Sequence, residues 1–191
     1  MANGPGKLIV KGELLNDMEP EQLIATAREW METGDFPEVL SADDKRLELP
    51  LYGPDGNWRM SVMADATPLV IVSQQHFPIH LPPGRRAQGA LLCDAISRKL
   101  SIGDFRVDHE DGSVLMQVAI PIFGEPTTPE LTTLFGELIC RPIFAFHKAL
   151  FPLTQFATGV LDREDCLMAI VSNDDANRNL WKDRSMQPER N

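Results

Sequence analysis

The histidines are the side chains of this sequence best suited to metal binding or proton transfer, and two of them are four positions apart. On a helix, His76 and His80 would share one face and could bind a metal ion together. Pro78 lies between them, directly after a predicted strand, and excludes a helix. We therefore predict a polar loop here and no metal site.

A third histidine, His109, lies in an acidic segment. Its neighbours are Asp108, Glu110 and Asp111. These oxygen ligands suit a hard cation, but the segment lacks the number and spacing of ligands that a calcium loop needs. A solvated turn is the favoured interpretation.

Two consecutive arginines, Arg85 and Arg86, follow Gly84 where a helix is predicted to begin. Backbone N–H groups and two guanidinium groups could hold an anion there. No glycine-rich phosphate-binding motif accompanies them. We favour an exposed basic turn, and the alternative is a small-molecule or anion-binding regulatory protein that uses this helix start.

Four phenylalanines fall within thirteen residues of a predicted helix: Phe144, Phe146, Phe151 and Phe156. At roughly 100° per residue, Phe144 and Phe151 lie about 90° away from the stripe that contains Phe146. Either this helix is buried on two sides within the monomer, or the outlying rings form a dimer or partner-binding surface. The candidate residues for such a surface are Phe144, Phe151, Phe156, Arg85 and Arg86.

No motif predicts a reaction. The sequence has no nucleophile elbow and no Cys or Ser next to a His in a recognisable arrangement. The cysteines Cys93, Cys140 and Cys166 are odd in number, far apart and surrounded by apolar residues, which predicts buried reduced thiols in a reducing compartment. We expect no enzyme activity, no cofactor and a cytoplasmic location.

The composition limits the partners. The 191 residues carry a formal net charge of −10, which argues against non-specific nucleic-acid binding. No window approaches the ~20 apolar residues of a membrane-spanning helix, and residues 1–10 lack the features of a secretory signal. We expect neither nucleic acid nor membrane, but a protein partner of unknown identity and a homodimer.

The elements that must position these residues follow the order α-βββ-α-ββ-α. Apolar periodicity predicts helices over about Pro20–Thr33 and Pro82–Ser101. Alternation predicts two strands, at Leu47–Leu51 and Trp58–Asp65. The apolar run Leu69–Val72 predicts a third. Residues 35–44 are assigned to a linker. Because Pro50 cannot donate a backbone hydrogen bond, its strand is placed near an edge. The third strand is apolar on both faces, which predicts a central strand or an edge strand that another element covers.

The remaining elements are a hairpin and a second helical region. Phe105 and the strand ending at Ile122 flank a turn at Asp111-Gly112, which predicts a β-hairpin. A helix with Thr128 as its N-cap should break at Pro142, and a second piece should run to Thr158 with a kink at Pro152. Together these elements predict an α+β fold, with an antiparallel five-stranded sheet that has its helices on one side.

The predicted domain covers residues 18–160. Residues 1–17 form a leader in which residues 7–10 could pair as a short edge strand. Residues 161–191 contain a short helix over Arg163–Ser172 and a polar C-terminal tail.

Residues 89–120 carry a specific pattern: an amphipathic helix, the corner Ile102-Gly103-Asp104-Phe105-Arg106-Val107-Asp108, an acidic-glycine turn and an apolar return strand. This pattern resembles that of YbjN-domain proteins, which share a fold with the class I chaperones of type III secretion. Ser97 and Ser101 depart from the asparagines that such proteins often have before the corner. The resemblance implies a chaperone-like α+β domain that is commonly a homodimer, binds protein segments and performs no chemistry.

Overall fold

The computed structural model describes residues 18–34, 36, 39–66, 68–100 and 103–172. The predicted leader strand at residues 7–10 and the polar tail after residue 172 lie outside the described residues. The helices are α1 (Pro20–Thr33), α2 (Arg86–Leu100), α3 (Thr128–Phe135), α4 (Arg141–Thr158) and α5 (residues 163–172). The strands are β1 (Leu40–Asp43), β2 (Arg46–Gly53), β3 (Gly56–Ala66), β4 (Leu69–His80), β5 (Asp104–Val107) and β6 (Ser113–Pro121).

The strands form one antiparallel sheet in the order β1-β2-β3-β4-β6-β5. This confirms the α+β class, the antiparallel pairing of the five predicted strands and the central position of β4. A sixth strand, β1, lies in the segment that was assigned to a linker. It is short and pairs only with the first residues of β2, Leu40 lying opposite Glu48.

The helices cover one face of the sheet. Side chains alternate between faces along a strand, and in β2 the buried residues are Leu47, Leu49 and Leu51. They join the single hydrophobic core, to which α1, α2, α3, α4 and α5 all contribute. On the opposite face, which we call the outer face, Arg59 and His76 are exposed.

Strand β4 is longer than predicted. The prediction that it ends at Val72, with His76 and His80 in a polar loop, is wrong. The strand continues because β3 and β6 pair with it on both sides, and Gln75 is accommodated in the core. The side-chain oxygen Oε1 of Gln75 accepts a hydrogen bond from Trp58 Nε1 at 2.9 Å.

Both ends of the sheet expose a short stretch of strand edge that contains a proline. Strand β1 reaches only to Glu48, so Pro50 lies beyond its pairing with β2. Strand β5 pairs with residues 114–117 of β6, so Pro121 lies beyond it. Proline has no N–H to offer to a further strand, and such residues limit edge-to-edge association of sheets.

The predicted hairpin is confirmed, and two glycines shape it. Gly103 has φ of +68°, and a Cβ there would come within 2.4 Å of the Gln117 carbonyl oxygen. Gly112 has φ of +82° in the turn between β5 and β6. The Ser97 hydroxyl accepts a hydrogen bond from the backbone N–H of Phe105 at 2.8 Å, which ties α2 to the start of β5.

The third helical region is nearly continuous. A single π-helical turn, Gly136–Cys140, joins α3 to α4, and Pro142 is the second residue of α4. The predicted break is thus reduced to a local change of hydrogen-bonding pattern, which suits a residue without an N–H. The helix continues through Pro152 and ends at Gly159, where φ is +86°.

The domain extends beyond the predicted boundary at residue 160. The predicted helix at residues 163–172 is confirmed, and Cys166 and Ile170 on it are completely buried in the core. A helix that contributes to the core belongs to the domain rather than to a tail.

Replacing Phe105 should test the packing of the corner. Its ring is buried, so Phe105→Ala should lower the free energy of unfolding by roughly 3–5 kcal/mol in denaturant titration. Leu91→Ala, at an exposed position on α2, is the control and should change it by less than about 0.5 kcal/mol. A loss below ~1 kcal/mol in Phe105→Ala would show that the ring does not support the core.

Candidate functional site

The structure separates the two histidines that share the four-residue spacing. On the extended strand β4, four residues span about 13 Å, so His76 and His80 cannot bind one ion together. His80 Nδ1 lies 3.8 Å from a carboxylate oxygen of Asp111, and His109 is exposed in a turn as predicted. Within the described ranges, no group of three or more His, Cys, Asp or Glu side chains could hold a metal ion.

The described cysteines are free thiols, and burial makes them poor nucleophiles. Cys93 and Cys166 are buried and Cys140 is half-buried. Burial raises the pKa of Cys93 to about 12, with a smaller contribution from the neighbouring Cys166, and it raises the pKa of Cys166 to about 12. Burial also raises the pKa of Cys140. A thiol that stays protonated at neutral pH does not attack a substrate.

Arg85 is engaged with the end of α4. Its Nη1 donates to the carbonyl oxygens of Phe156 at 2.7 Å and Leu161 at 3.3 Å. Its guanidinium carbon lies 5.2 Å from the centre of the Phe156 ring. These carbonyls lie at or just beyond the C-terminus of a helix, where a positive charge is favourable. Arg85 therefore stabilises the end of α4.

Arg86 is engaged with the hairpin turn. Its Nε donates to the Leu81 carbonyl at 3.2 Å. Its Nη1 donates to the carbonyls of His109 at 3.0 Å and Glu110 at 2.7 Å, and its Nη2 donates to that of Asp111 at 3.1 Å. The predicted exposed basic turn is thus a structural clamp. Both guanidinium groups at this helix start donate to backbone carbonyls, so the geometry gives Arg85 and Arg86 a structural role.

The three candidate phenylalanines do not lie on one surface. Phe156 is completely buried beneath Arg85, so its assignment to a partner-binding surface is corrected: it belongs to the core. Phe144 and Phe151 are 45% and 52% exposed. They are seven residues apart on α4, which places them on one side of the helix about 10.5 Å apart along its axis. The side of α4 that carries Phe144 and Phe151 is called the Phe face below.

A cleft that the sequence does not predict has lining residues from both faces of the sheet: Arg59 and His76 are on the outer face, whereas Trp58 and Phe77 turn toward α4. Its volume is about 420 Å³, and it lies where β3 and β4 stop pairing, after Arg59 and His76. The residues lining it are Arg46, Trp58, Arg59, His76, Phe77 and Pro78. The alternation of β2 and β3 placed Arg46 and Arg59 on one face, but only the full length of β4 brings His76 beside them.

A carboxylate already lies between the two arginines of this cleft. Glu48 Oε1 is 2.9 Å from Arg46 Nη2, and Glu48 Oε2 is 3.6 Å from Arg59 Nη1. The Nε of Arg46 is buried and has no hydrogen-bond acceptor in the part of the chain that the structure describes. Partial burial, followed by the charges of Arg46 and then Arg59, lowers the pKa of His76 below its ordinary value of 6.5, so its imidazole is neutral at pH 7.

Comparison with known proteins adds no family. No known family model matches the chain, and a search of curated proteins finds none that matches. The resemblance of residues 89–120 to YbjN-domain proteins therefore stays a prediction. None of the described helices is long and apolar enough to cross a membrane.

Replacing Arg86 distinguishes a structural clamp from an anion site. Arg86→Met removes its hydrogen bonds to the hairpin carbonyls and should lower the free energy of unfolding by about 2 kcal/mol in denaturant titration. The control Arg98→Met removes an exposed ion pair with Asp94 and should cost less than about 0.5 kcal/mol. Equal stability of the two variants would contradict the clamp.

The pKa of His76 can be measured by NMR titration of its ring Cε1 proton. We expect a value below 6.5, because burial and two nearby guanidinium groups disfavour the imidazolium form. When the pH falls below about 6.5, the unfolded chain takes up a proton before the folded chain, so this residue makes folding less favourable in acid. Arg46→Gln should raise the pKa. A wild-type value at or above 6.5 would contradict this environment.

Proposed function

We propose that this protein is a non-enzymatic, chaperone-like binding module of the cytoplasm that forms a homodimer and binds a further protein segment. The observation that carries the proposal is the Phe face of α4. Soluble proteins rarely leave two large aromatic rings half exposed on one side of a helix unless another surface covers them. Aromatic residues are also the commonest anchors of protein–protein interfaces.

The charge of α4 supports contact between two copies of the chain. The protein has 28 acidic residues and a net charge of −10, so two copies repel each other at most orientations. The sequence of α4, Arg141–Thr158, contains neither Asp nor Glu. Docking through the Phe face therefore brings together the part of each chain where like-charge repulsion is weakest. A two-fold axis there would let each Phe face cover the other.

The fold supports the binding mode more generally. An antiparallel sheet that is covered by helices on one side, with the helix–corner–hairpin unit at residues 89–120, is the arrangement that the resemblance to chaperone-like proteins implies. Since this resemblance comes from one motif and the order of elements, it supports a mode of action and names no partner. The hydrogen bonds of Arg85 and Arg86 to carbonyls favour the binding module over the alternative, an anion-binding regulator at these residues.

The experiment replaces both rings of the Phe face. In analytical ultracentrifugation at about 100 μM, we expect the wild type to have twice the 21.3 kDa mass of one chain. Phe144→Ser/Phe151→Ser should weaken self-association at least about tenfold, because aromatic anchors carry much of the binding energy of an interface. Phe123→Ser, at a ring that is 70% exposed and lies outside α4, is the matched control and should leave the dimer intact.

Two results would overturn the proposal. One is a strictly monomeric wild type that also captures no protein from a native lysate. The other is a dimer that Phe123→Ser weakens as much as Phe144→Ser/Phe151→Ser does. Thermal unfolding of each variant shows whether a lost dimer reflects a lost surface or a lost fold.

A further inference from the structure

The cleft beyond Arg59 and His76 has the chemistry of a small-molecule site. Its volume of about 420 Å³ falls within the range of ligand pockets in proteins, roughly 300–1,000 Å³. The cleft exists because β4 continues beyond the last residue that pairs with β3, which leaves a gap between the two strands after Arg59 and His76. None of its lining residues lies on α4, so it is separate from the Phe face.

The lining of the cleft is positively charged, although the protein as a whole is strongly acidic. Two guanidinium charges, on Arg46 and Arg59, are offset by the one carboxylate of Glu48. With His76 neutral, one positive charge remains. A single anionic group would balance it, whereas a doubly charged group would leave an excess of negative charge.

The cleft also has hydrogen-bond donors that lack an acceptor within the described residues. A guanidinium group has five N–H donors in a planar fork. Arg59 Nη1 is 3.6 Å from Glu48, beyond hydrogen-bonding distance, and Arg46 Nε is buried without an acceptor in the described part of the chain. The two guanidinium groups can therefore donate to a further acceptor in the cleft.

We propose that this cleft binds a small monocarboxylate with an apolar body. The carboxylate would lie against Arg46 and Arg59, where the fork geometry of guanidinium favours two parallel hydrogen bonds. The neutral imidazole of His76 can donate one further hydrogen bond. Pro78, exposed on the same face of β4, provides an apolar wall for the rest of the ligand. The Glu48 carboxylate, already held between the arginines, shows the kind of group that fits there.

Benzoate is the probe for the test. Titration of the full chain with sodium benzoate, followed by ¹H–¹⁵N NMR, should shift the backbone amide signals of Arg59, His76 and the two residues that flank Pro78. These shifts should saturate. Benzamide has the same shape without the charge and should give none at the same concentrations. Sodium phosphate at matched ionic strength should shift these signals less than benzoate does, because one positive charge is available.

Substitutions locate the binding. Arg59→Gln and Arg46→Gln should each weaken benzoate binding at least about tenfold, since each removes charged hydrogen bonds. Arg106→Gln is the matched control, because Arg106 is also an exposed arginine paired with a carboxylate, that of Asp104, and should bind as the wild type does. If either Gln variant has a lowered melting temperature, Arg59→Lys replaces it in the test. Lysine keeps the positive charge but not the planar guanidinium group, so this variant should bind benzoate with intermediate affinity.

Three outcomes would overturn the inference: shifts that grow linearly without saturation, equal shifts with benzamide or phosphate, and unchanged benzoate affinity in both Arg59→Gln and Arg46→Gln. None of them bears on the oligomeric state. The dimer through the Phe face can therefore fail or hold independently of this cleft.

Discussion

The contact of Phe146 with the sheet is the interaction on which the rest of the structure depends. Its ring centre lies 4.0 Å from that of Phe77 and 5.5 Å from that of Trp58, so it joins α4 to two neighbouring strands. Because strand side chains alternate, turning Trp58 and Phe77 toward α4 turns Arg59 and His76 to the outer face. The same packing step therefore buries the aromatic core and brings Arg59 and His76 together on the outer face.

The two faces of the molecule carry different chemistry as a result. On the helical side, α4 uses one stripe for the core and leaves Phe144 and Phe151 outside it. On the outer side, no described helix covers the sheet, and polar residues of neighbouring strands meet across it, as in the contact of Gln74 with Gln117 at 3.4 Å. An apolar surface suits a protein and a charged cleft suits a small ion, so the two proposals concern separate sites.

Features set by neighbouring residues could be predicted, and features set by distant contacts could not. Helix α1, the Asp111-Gly112 hairpin and the burial of Phe105 follow from periodicity and turn chemistry. The second half of β4 looks like a loop, with His76 and Pro78, because its polar residues acquire partners only when Trp58 and β6 come beside it. The hydrogen-bond partners of the candidate site residues could not be predicted for the same reason. Nothing near Arg85 in sequence announces that the end of α4, 71 residues later, supplies its acceptor.

The adjacency of Arg85 and Arg86 has a consequence for how the domain opens. Arg85 is bound to the end of α4, and Arg86 is bound to the β5–β6 turn. Arg85 ends a short 3₁₀ turn, and Arg86 is the first residue of α2 directly after it. Fraying of that single turn releases both attachments at once. We therefore expect the end of the long helix and the tip of the hairpin to open together in hydrogen exchange, although they are separated in sequence and belong to different layers of the fold.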